Sequence, residues 1–441
     1  MGAISRVMKE KTSVIGSVSY VLIERLVRLI SPLIYSIALT RLEGAELFGQ
    51  YSYINTLYTI FLAISLIGLD SIAVREVVKF KSRFSRVIDN VMLVRIVWSF
   101  FVTVIYLLIC FWVGVYSIGV FFSGLAIFLY SFNAPEYYFQ GTKQFQVIAK
   151  ISLFLFPVFL IIKIYLLYVS NSIESKFIID AIEAVVYSIS LLWFYKKDTL
   201  ILPAINSYDL KLIKSLLKSS IPLALNSILV VLYFKIDQIM LANLLGYEQL
   251  GLYAAGSQIS SMIGFVPMVL MTAIFPYLAE WMKSVDYEKK VIDIYQLFLI
   301  IILLISVVVY FGIDLVVLTI FGNEFRASGD IVKIHLIGFL FVYMGAVSGS
   351  IIVIKDLVWL STIRSISSLL LNIILNFILI PDYGIFGAAW ASVISQFMAN
   401  YVFYLIIPKL RPEGKLINKA FILLPFRGFN AITRLYSAYK H

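Results

Sequence analysis

Leu42-Glu43-Gly44-Ala45-Glu46-Leu47-Phe48-Gly49-Gln50-Tyr51 decides the fold, because the chain contains it twice. Leu244-Leu245-Gly246-Tyr247-Glu248-Gln249-Leu250-Gly251-Leu252-Tyr253 repeats its Leu, Gly, Glu, Gly and Tyr in register, 202 residues later (246 minus 44). Chance does not readily place two glycines, a glutamate and a tyrosine at matched positions, so the offset marks an internal duplication. Each copy is a short polar interruption between two long apolar runs, and it reads as a tight outer turn joining two membrane helices.

Composition sets the class. The chain has 441 residues, of which 61% are hydrophobic and 14% charged, with a mean hydropathy of +0.96, far above that of a soluble domain. Its apolar runs lack the ten-residue alternation of an outer-membrane barrel, so the expected fold is an all-α polytopic membrane protein. Twelve spans are expected, at 13–40, 48–75, 88–113, 116–139, 146–170, 176–196, 213–243, 251–279, 290–313, 330–354, 358–380 and 385–409. The duplication divides them into a six-helix N-terminal lobe at 1–200, a cytoplasmic linker at 201–212 and a six-helix C-terminal lobe at 213–410. A basic amphipathic tail at 411–441, with Phe421, Ile422, Phe426, Phe429 and Leu435 among its apolar residues, is expected to lie on the cytoplasmic face. Six is even, so both halves enter the membrane in one direction, as parallel repeats about an axis along the membrane normal.

Charge placement orients the chain. The net charge is +11, which in a soluble protein would raise nucleic acid as a partner. Here the basic residues gather in the N-terminus, alternate loops and tail, among them Arg6, Lys9, Lys11, Lys79, Lys81, Arg83, Arg86, Lys143, Lys196, Lys283 and Lys440. The opposite side carries Arg41, Lys176 and Arg326. That asymmetry puts both termini in the cytoplasm and assigns the charge to topology and anionic membrane lipid rather than to nucleic acid. The basic start leads into a full-length span without a small-residue cleavage site, which reads as a retained first helix rather than a signal peptide. Cys110, alone, offers neither a disulfide nor a metal site.

Charges inside spans are the functional candidates. Glu24, Arg25 and Arg28 lie at the centre of the apolar run 14–39, where each costs about 2.5 to 3.5 kcal/mol unless it meets a partner or water. Glu24 and Arg28 are spaced for an i, i+4 pair, which leaves Arg25 as the net positive site; the alternative is a purely structural network of the three. In span six Asp180 and Glu183 share a face and are too short to snorkel far, facing either a water-filled cavity or an outer vestibule. Span seven, the duplicate of span one, carries Asn226, Tyr233 and Asp237 on one face and Lys235 beside them. Arg95, Glu136 and Lys163 read as reaching an interface by snorkelling or from a helix end, and Asn372 and Asn376 as helix-to-helix glue. His335 reads as a hydrogen-bonded interfacial histidine or a proton relay. The sequence carries no Walker loop, dinucleotide fingerprint, zinc spacing or nucleophile elbow, and no large loop in which an embedded transferase would build its site. A transporter is expected, not an enzyme.

The two turn motifs, the Gly68-Leu69-Asp70 to Arg75-Glu76 segment, Ile236-Asp237-Gln238-Ile239-Met240-Leu241 and Tyr383-Gly384-Ile385-Phe386-Gly387-Ala388-Ala389 resemble those of the Wzx polysaccharide flippases. These belong to the superfamily that also holds the multidrug and toxin extruders and the lipid II flippases. The resemblance spans nearly the whole chain. It implies a bacterial inner-membrane protein that exports undecaprenyl-diphosphate-linked oligosaccharide units to the periplasmic leaflet, for O-antigen, capsule or exopolysaccharide. It further implies a V-shaped pair of lobes around a cationic central cavity, a proton or sodium gradient as the driving force, no cofactor, and a polysaccharide polymerase and chain-length regulator as partners. On that reading Arg25, Arg28, Glu24, Asn226 and Lys235 meet the lipid diphosphate, since arginine suits bidentate phosphate contact, and Asp237, Glu183 and Asp180 are the candidates for ion coupling. The alternative is an ion-coupled extruder of cationic drugs, in which acidic residues would dominate the cavity.

Overall fold

The computed structural model describes all residues except 1, 81–83, 171, 204–207, 283, 428–433 and 435–441, and gives the backbone alone for 2–19, 22, 426 and 427. Lys81, Arg83, Lys283, Lys440, Asn206, Ser207, Phe429 and Leu435 therefore lie outside the described residues, as do the side chains of Arg6, Lys9, Lys11 and Phe426.

Among the described residues all regular structure is helical. In chain order the helices are α1 (Gly2–Leu66), α2 (Leu69–Lys79), α3 (Phe84–Trp112), α4 (Ile118–Leu129), α5 (Pro135–Gly141), α6 (Phe145–Ser170) and α7 (Glu174–Thr199). They continue with α8 (Leu210–Leu245), α9 (Tyr247–Trp281), α10 (Tyr287–Ile320), α11 (Arg326–Ile354), α12 (Val358–Phe397), α13 (Phe403–Ile406) and α14 (Arg411–Arg427). Nine described helical stretches are long and apolar enough to cross a membrane, or ten if the segment from α4 through α5, bent by 43°, is one crossing. Large apolar side chains stand outward along them, with Phe111 72% and Leu304 63% exposed, a surface that only lipid accommodates. The chain is a multi-pass membrane protein.

The sequence leads one to expect twelve spans, and the difference falls at glycine joints. Gly44 (φ 77°, ψ −170°) and Gly384 (φ 58°, ψ −137°) are non-helical residues inside α1 and α12, which otherwise run on without a loop. Each is a kink at which one helix meets the next with no loop between them, so α1 and α12 each hold two helices. Only a residue without Cβ takes these φ values at low cost.

The chain divides into two compact units. Unit 1 comprises Met1–Glu43 and Ile54–Val231; unit 2 comprises Gly44–Tyr53 and Leu232–His441. The division thus runs within α8, and the decapeptide after Gly44 belongs with unit 2. In unit 1 the core joins α2, α3, α5, α6 and α7 through Leu69, Val91, Tyr137, Tyr138, Leu191 and Tyr195. In unit 2 the two copies of the repeated turn pack on each other. A Cβ on Gly49 would lie 1.8 Å from the Tyr247 carbonyl oxygen, and one on Gly251 would lie 2.0 Å from that of Ala45. Those contacts are related by the repeat, since 45 and 49 correspond to 247 and 251. The matched glycines therefore let two backbones cross, which is why the motif keeps both of them. Glu324 closes the crossing by accepting a 3.2 Å bond from the Ala45 N–H.

Of the expected surface tail, α14 is described: it packs against α10 with Leu416, Ile417 and Ala420 buried in unit 2, while Ile422 is 68% exposed. Buried Glu413 is paired with Lys355, and beyond α14 Arg434 donates to both carboxylate oxygens of Asp293 at 3.0 Å. That carboxylate holds the Arg434 guanidinium above its ordinary pKa by hydrogen bonding.

Candidate functional site

The site in unit 1 starts from α1. Glu24 and Arg28, four residues apart, form the ion pair their spacing predicts. The rest of the Arg28 guanidinium is then distributed over aromatic groups. It donates to the Tyr130 hydroxyl at 3.2 Å and the Tyr187 hydroxyl at 2.9 Å, and it lies over the rings of Phe156 and Tyr187 at 5.1 and 5.3 Å. A planar, weakly hydrated cation suits such stacking, and this explains how a charge is kept at that depth.

Tyr130 and Glu136 come from the broken segment between α4 and α5. After α4 the chain makes a single tighter turn, Tyr130–Asn133, and restarts at Pro135, which lacks an N–H and fits the first turn of a new helix. The break sets Glu136 on the first turn of α5. There it accepts from Gln140 at 3.1 Å and from the Tyr187 hydroxyl at 3.3 Å, with Arg28 Nη2 at 4.0 Å. Behind this layer Arg95, only 1% exposed, donates to the Tyr137 hydroxyl at 2.9 Å and the Tyr130 carbonyl at 2.8 Å, while Tyr137 donates to Asp70.

Two expectations are corrected here. Arg95 does not snorkel to an interface: it is eleven residues (95 minus 84) beyond the start of α3, about 16 Å along the axis at 1.5 Å per residue, and is solvated by protein groups instead. Glu136 is no terminal residue either, because the break at Pro135 puts it within a polar cluster in the interior of unit 1.

Arg25 is the one member of the α1 trio left open. It is exposed and has no ion-pair partner among the described residues. Tyr20, Glu24, Arg25, Glu136 and Gln140 form the polar wall of a recess of about 440 Å³ including its mouth. Val21, Phe145 and Ile148 form the apolar wall. Charge on one side and hydrocarbon on the other suit an amphiphile with a charged head.

Asp180 and Glu183 lie elsewhere in unit 1 and are fully paired. Lys163 bridges both, at 2.7 Å to Asp180 and closer to Glu183, and Lys176 reaches Asp180 at 2.6 Å. Lys163 thus does not snorkel; two lysines and two acids cancel within the protein, which accounts for the buried charge without a transported ion.

Asp237, in unit 2, has the opposite surroundings. It is 3% exposed and accepts bonds from Tyr253 at 2.8 Å, Asn376 Nδ2 at 2.7 Å and the Ser392 hydroxyl. Asn376 also donates to Asn372 at 3.1 Å. Among the described residues no lysine, arginine or histidine pairs with this carboxylate, and Lys235 turns to Gln238 at 3.4 Å instead. Asn372 and Asn376, expected as helix glue, are parts of this pocket. Tyr253 is the last residue of the repeated turn. Nearby His335 is buried, with Nδ1 2.9 Å from Ser260 Oγ and its ring edge-on to Tyr253. Asn226 belongs to the unit 1 part of α8, where its amide oxygen is buried without a hydrogen-bond partner. Within unit 1 the structure brings Glu24, Arg25 and Arg28 together on α1 and joins Asp180 to Glu183 through Lys163, with Asn226 on α8; within unit 2 Asp237 and Lys235 turn to separate partners.

Comparison with known proteins fits these features. Over 401 residues the chain is 22% identical to the capsular polysaccharide biosynthesis protein CapF of Staphylococcus aureus, covering 88% of this chain and 97% of that one. It is similar in fold to a multidrug resistance MATE family transporter of the MOP superfamily in an inward-facing conformation (TM-score 0.67, 14% identity, 91% of this chain and 99% of the other). It is also similar in fold to the lipid II flippase MurJ in an inward closed conformation (TM-score 0.61, 14% identity, 95% and 96%). A family model described as polysaccharide biosynthesis protein matches residues 14–282, more than half the length, and the chain belongs to that family.

Proposed function

We propose that this protein is a flippase that moves undecaprenyl-diphosphate-linked oligosaccharide repeat units from the cytoplasmic to the periplasmic leaflet of a bacterial inner membrane. The observation that carries the proposal is Arg25: an arginine without a counter-ion among the described residues, opening on a half-polar, half-apolar recess of a membrane protein. Moving a lipid diphosphate across hydrocarbon requires a protein cation to replace its hydration, and a guanidinium offers paired donors to phosphate. Membership of a polysaccharide biosynthesis family and likeness to the fold of a lipid II flippase support the same reading. Twelve crossings with both termini cytoplasmic form part of the proposal. Dividing α1 at Gly44 and α12 at Gly384 and counting the α4–α5 segment as one crossing adds three to the nine continuous spans. Two six-helix lobes working by alternating access follow from the duplication.

Asp237 is the coupling group in this proposal. A buried carboxylate surrounded by neutral oxygen and amide groups is suited to accept a proton or a small monovalent cation, whereas Asp180 and Glu183 are already neutralised by Lys163 and Lys176. A polysaccharide polymerase and a chain-length regulator are the proposed partners. The same buried acid supports a second reading, an ion-coupled exporter of cationic drugs. The test is complementation of a flippase-null strain: Arg25→Ala abolishes surface polysaccharide at normal membrane abundance, and Arg25→Lys restores part of it. Failure of the wild-type chain to restore surface polysaccharide overturns the flippase reading, full polysaccharide from Arg25→Ala removes Arg25 from the substrate site, and drug efflux from the same cells favours the second reading.

A further inference from the structure

The recess beside Arg25 is electrically balanced as it stands. Arg25 brings one positive charge to its wall and Glu24 and Glu136 two negative ones, and Arg28, outside the lining, offsets Glu24 through their ion pair. A diphosphate entering a balanced site would meet a carboxylate as well as an arginine, so one acid must give way. Glu24 is fixed by its pair with Arg28 on the same helix. Glu136 is held more loosely. Its partners are neutral and distant, Gln140 at 3.1 Å and the Tyr187 hydroxyl at 3.3 Å, while Arg28 at 4.0 Å is beyond hydrogen-bonding reach. It sits on a seven-residue helix whose Pro135, Tyr137, Tyr138 and Phe139 are buried, so a displaced Glu136 side chain would turn on a fixed backbone.

We propose that Glu136 is a resident counter-anion: it occupies the anion position of the empty recess, and a polyanionic lipid headgroup displaces it from the neighbourhood of Arg28. This rests on the flippase reading and adds a selectivity residue to it. A headgroup with a single negative charge exchanges one monoanion for another and gains little. A diphosphate presents more charge and several acceptor oxygens, so it can replace Glu136 and also engage Arg25. Glu136 thereby sets a threshold that admits diphosphate lipids and turns away the abundant singly charged phospholipids around the protein. Selection of this kind works by penalising the wrong ligand.

The experiment uses the full chain purified in detergent, with farnesyl diphosphate, the singly charged farnesyl methyl phosphodiester and uncharged farnesol as probes of binding. Glu136→Gln is expected to tighten the phosphodiester about 30-fold and the diphosphate about tenfold, narrowing the ratio between them, while farnesol is unchanged. Glu136→Asp keeps the charge but shortens the reach towards Arg28, and is expected to fall between wild type and Glu136→Gln; it serves as the test if Glu136→Gln does not fold. Unchanged or uniformly weakened phosphate binding in the folded variant overturns the proposal. If Arg25→Ala abolishes diphosphate binding while neither Glu136 variant alters the ratio, this inference alone falls. If the wild-type chain neither binds farnesyl diphosphate nor restores surface polysaccharide to a flippase-null strain, the flippase reading falls and takes this inference with it.

Discussion

The helices before the two copies of the repeated turn match at one offset, yet their polar positions have opposite surroundings. At the 202-residue offset Glu24 corresponds to Asn226, Arg25 to Ser227, Arg28 to Val230 and Tyr35 to Asp237. Leu39 and Leu241, also matched, are both completely buried, so the packing side of the helix has been kept while the polar positions changed. In α1 the charges include both signs, spread over phenols and ring faces, and one arginine is left open. In α8 a lone acid is enclosed by neutral donors. The first arrangement favours an anion and the second a cation. Duplication supplied two equivalent frames, and function required them to differ.

The largest effect that tests this contrast is at Arg25. Arg25→Ala is expected to lower surface polysaccharide about 100-fold, the equivalent of one charge-assisted contact of about 3 kcal/mol. If Ser227→Arg in the same background restores export, the two helices are interchangeable and the contrast is wrong. Next comes Asp237→Asn, which leaves a neutral side chain of the same shape. Export in vesicles is expected to fall about tenfold and to lose its response to an imposed proton or sodium gradient, a coupling of about 1–3 kcal/mol; an unchanged response assigns coupling elsewhere.

Smaller effects separate structure from transport. Lys163→Met leaves two buried acids short of a cation and is expected to destabilise the solubilised protein by about 3 kcal/mol, seen as a lower melting temperature. The balanced pair Lys163→Gln with Glu183→Gln is expected to cost only about 1 kcal/mol and to keep gradient-driven export. Loss of the gradient response in that folded double variant would return Glu183 to the coupling machinery. The smallest effect is at Asn376→Ala, which removes one donor from Asp237: about 1 kcal/mol of stability and a shift in the ion concentration that half-saturates transport. An unshifted ion dependence would make Asn376 a packing residue only.

Much of the fold was legible because a bilayer imposes simple rules. Apolar runs of span length, basic residues on one side and a motif repeated at a fixed offset each follow from local sequence, and backbone groups in lipid have no alternative to the helix. The Glu24–Arg28 pair was legible for the same reason, since four-residue spacing is a property of one helix. Arg95, Glu136 and Lys163 were not. Their depth was judged along their own helices as though each charge had only water to turn to, whereas each found partners on other helices.

The sequence by itself determined that this is a duplicated helical membrane protein, and it picked out Arg25, Arg28 and Asp237 as costly charges, because the price of a charge in hydrocarbon depends on depth alone. Tertiary structure decided which costs were cancelled. Arg28 is absorbed by Glu24 and a ring of tyrosines, Asp180 and Glu183 by two lysines, and Asp237 by neutral donors, leaving Arg25 open on its recess. Cancellation depends on side chains that approach from distant parts of the chain, and no local pattern encodes their meeting.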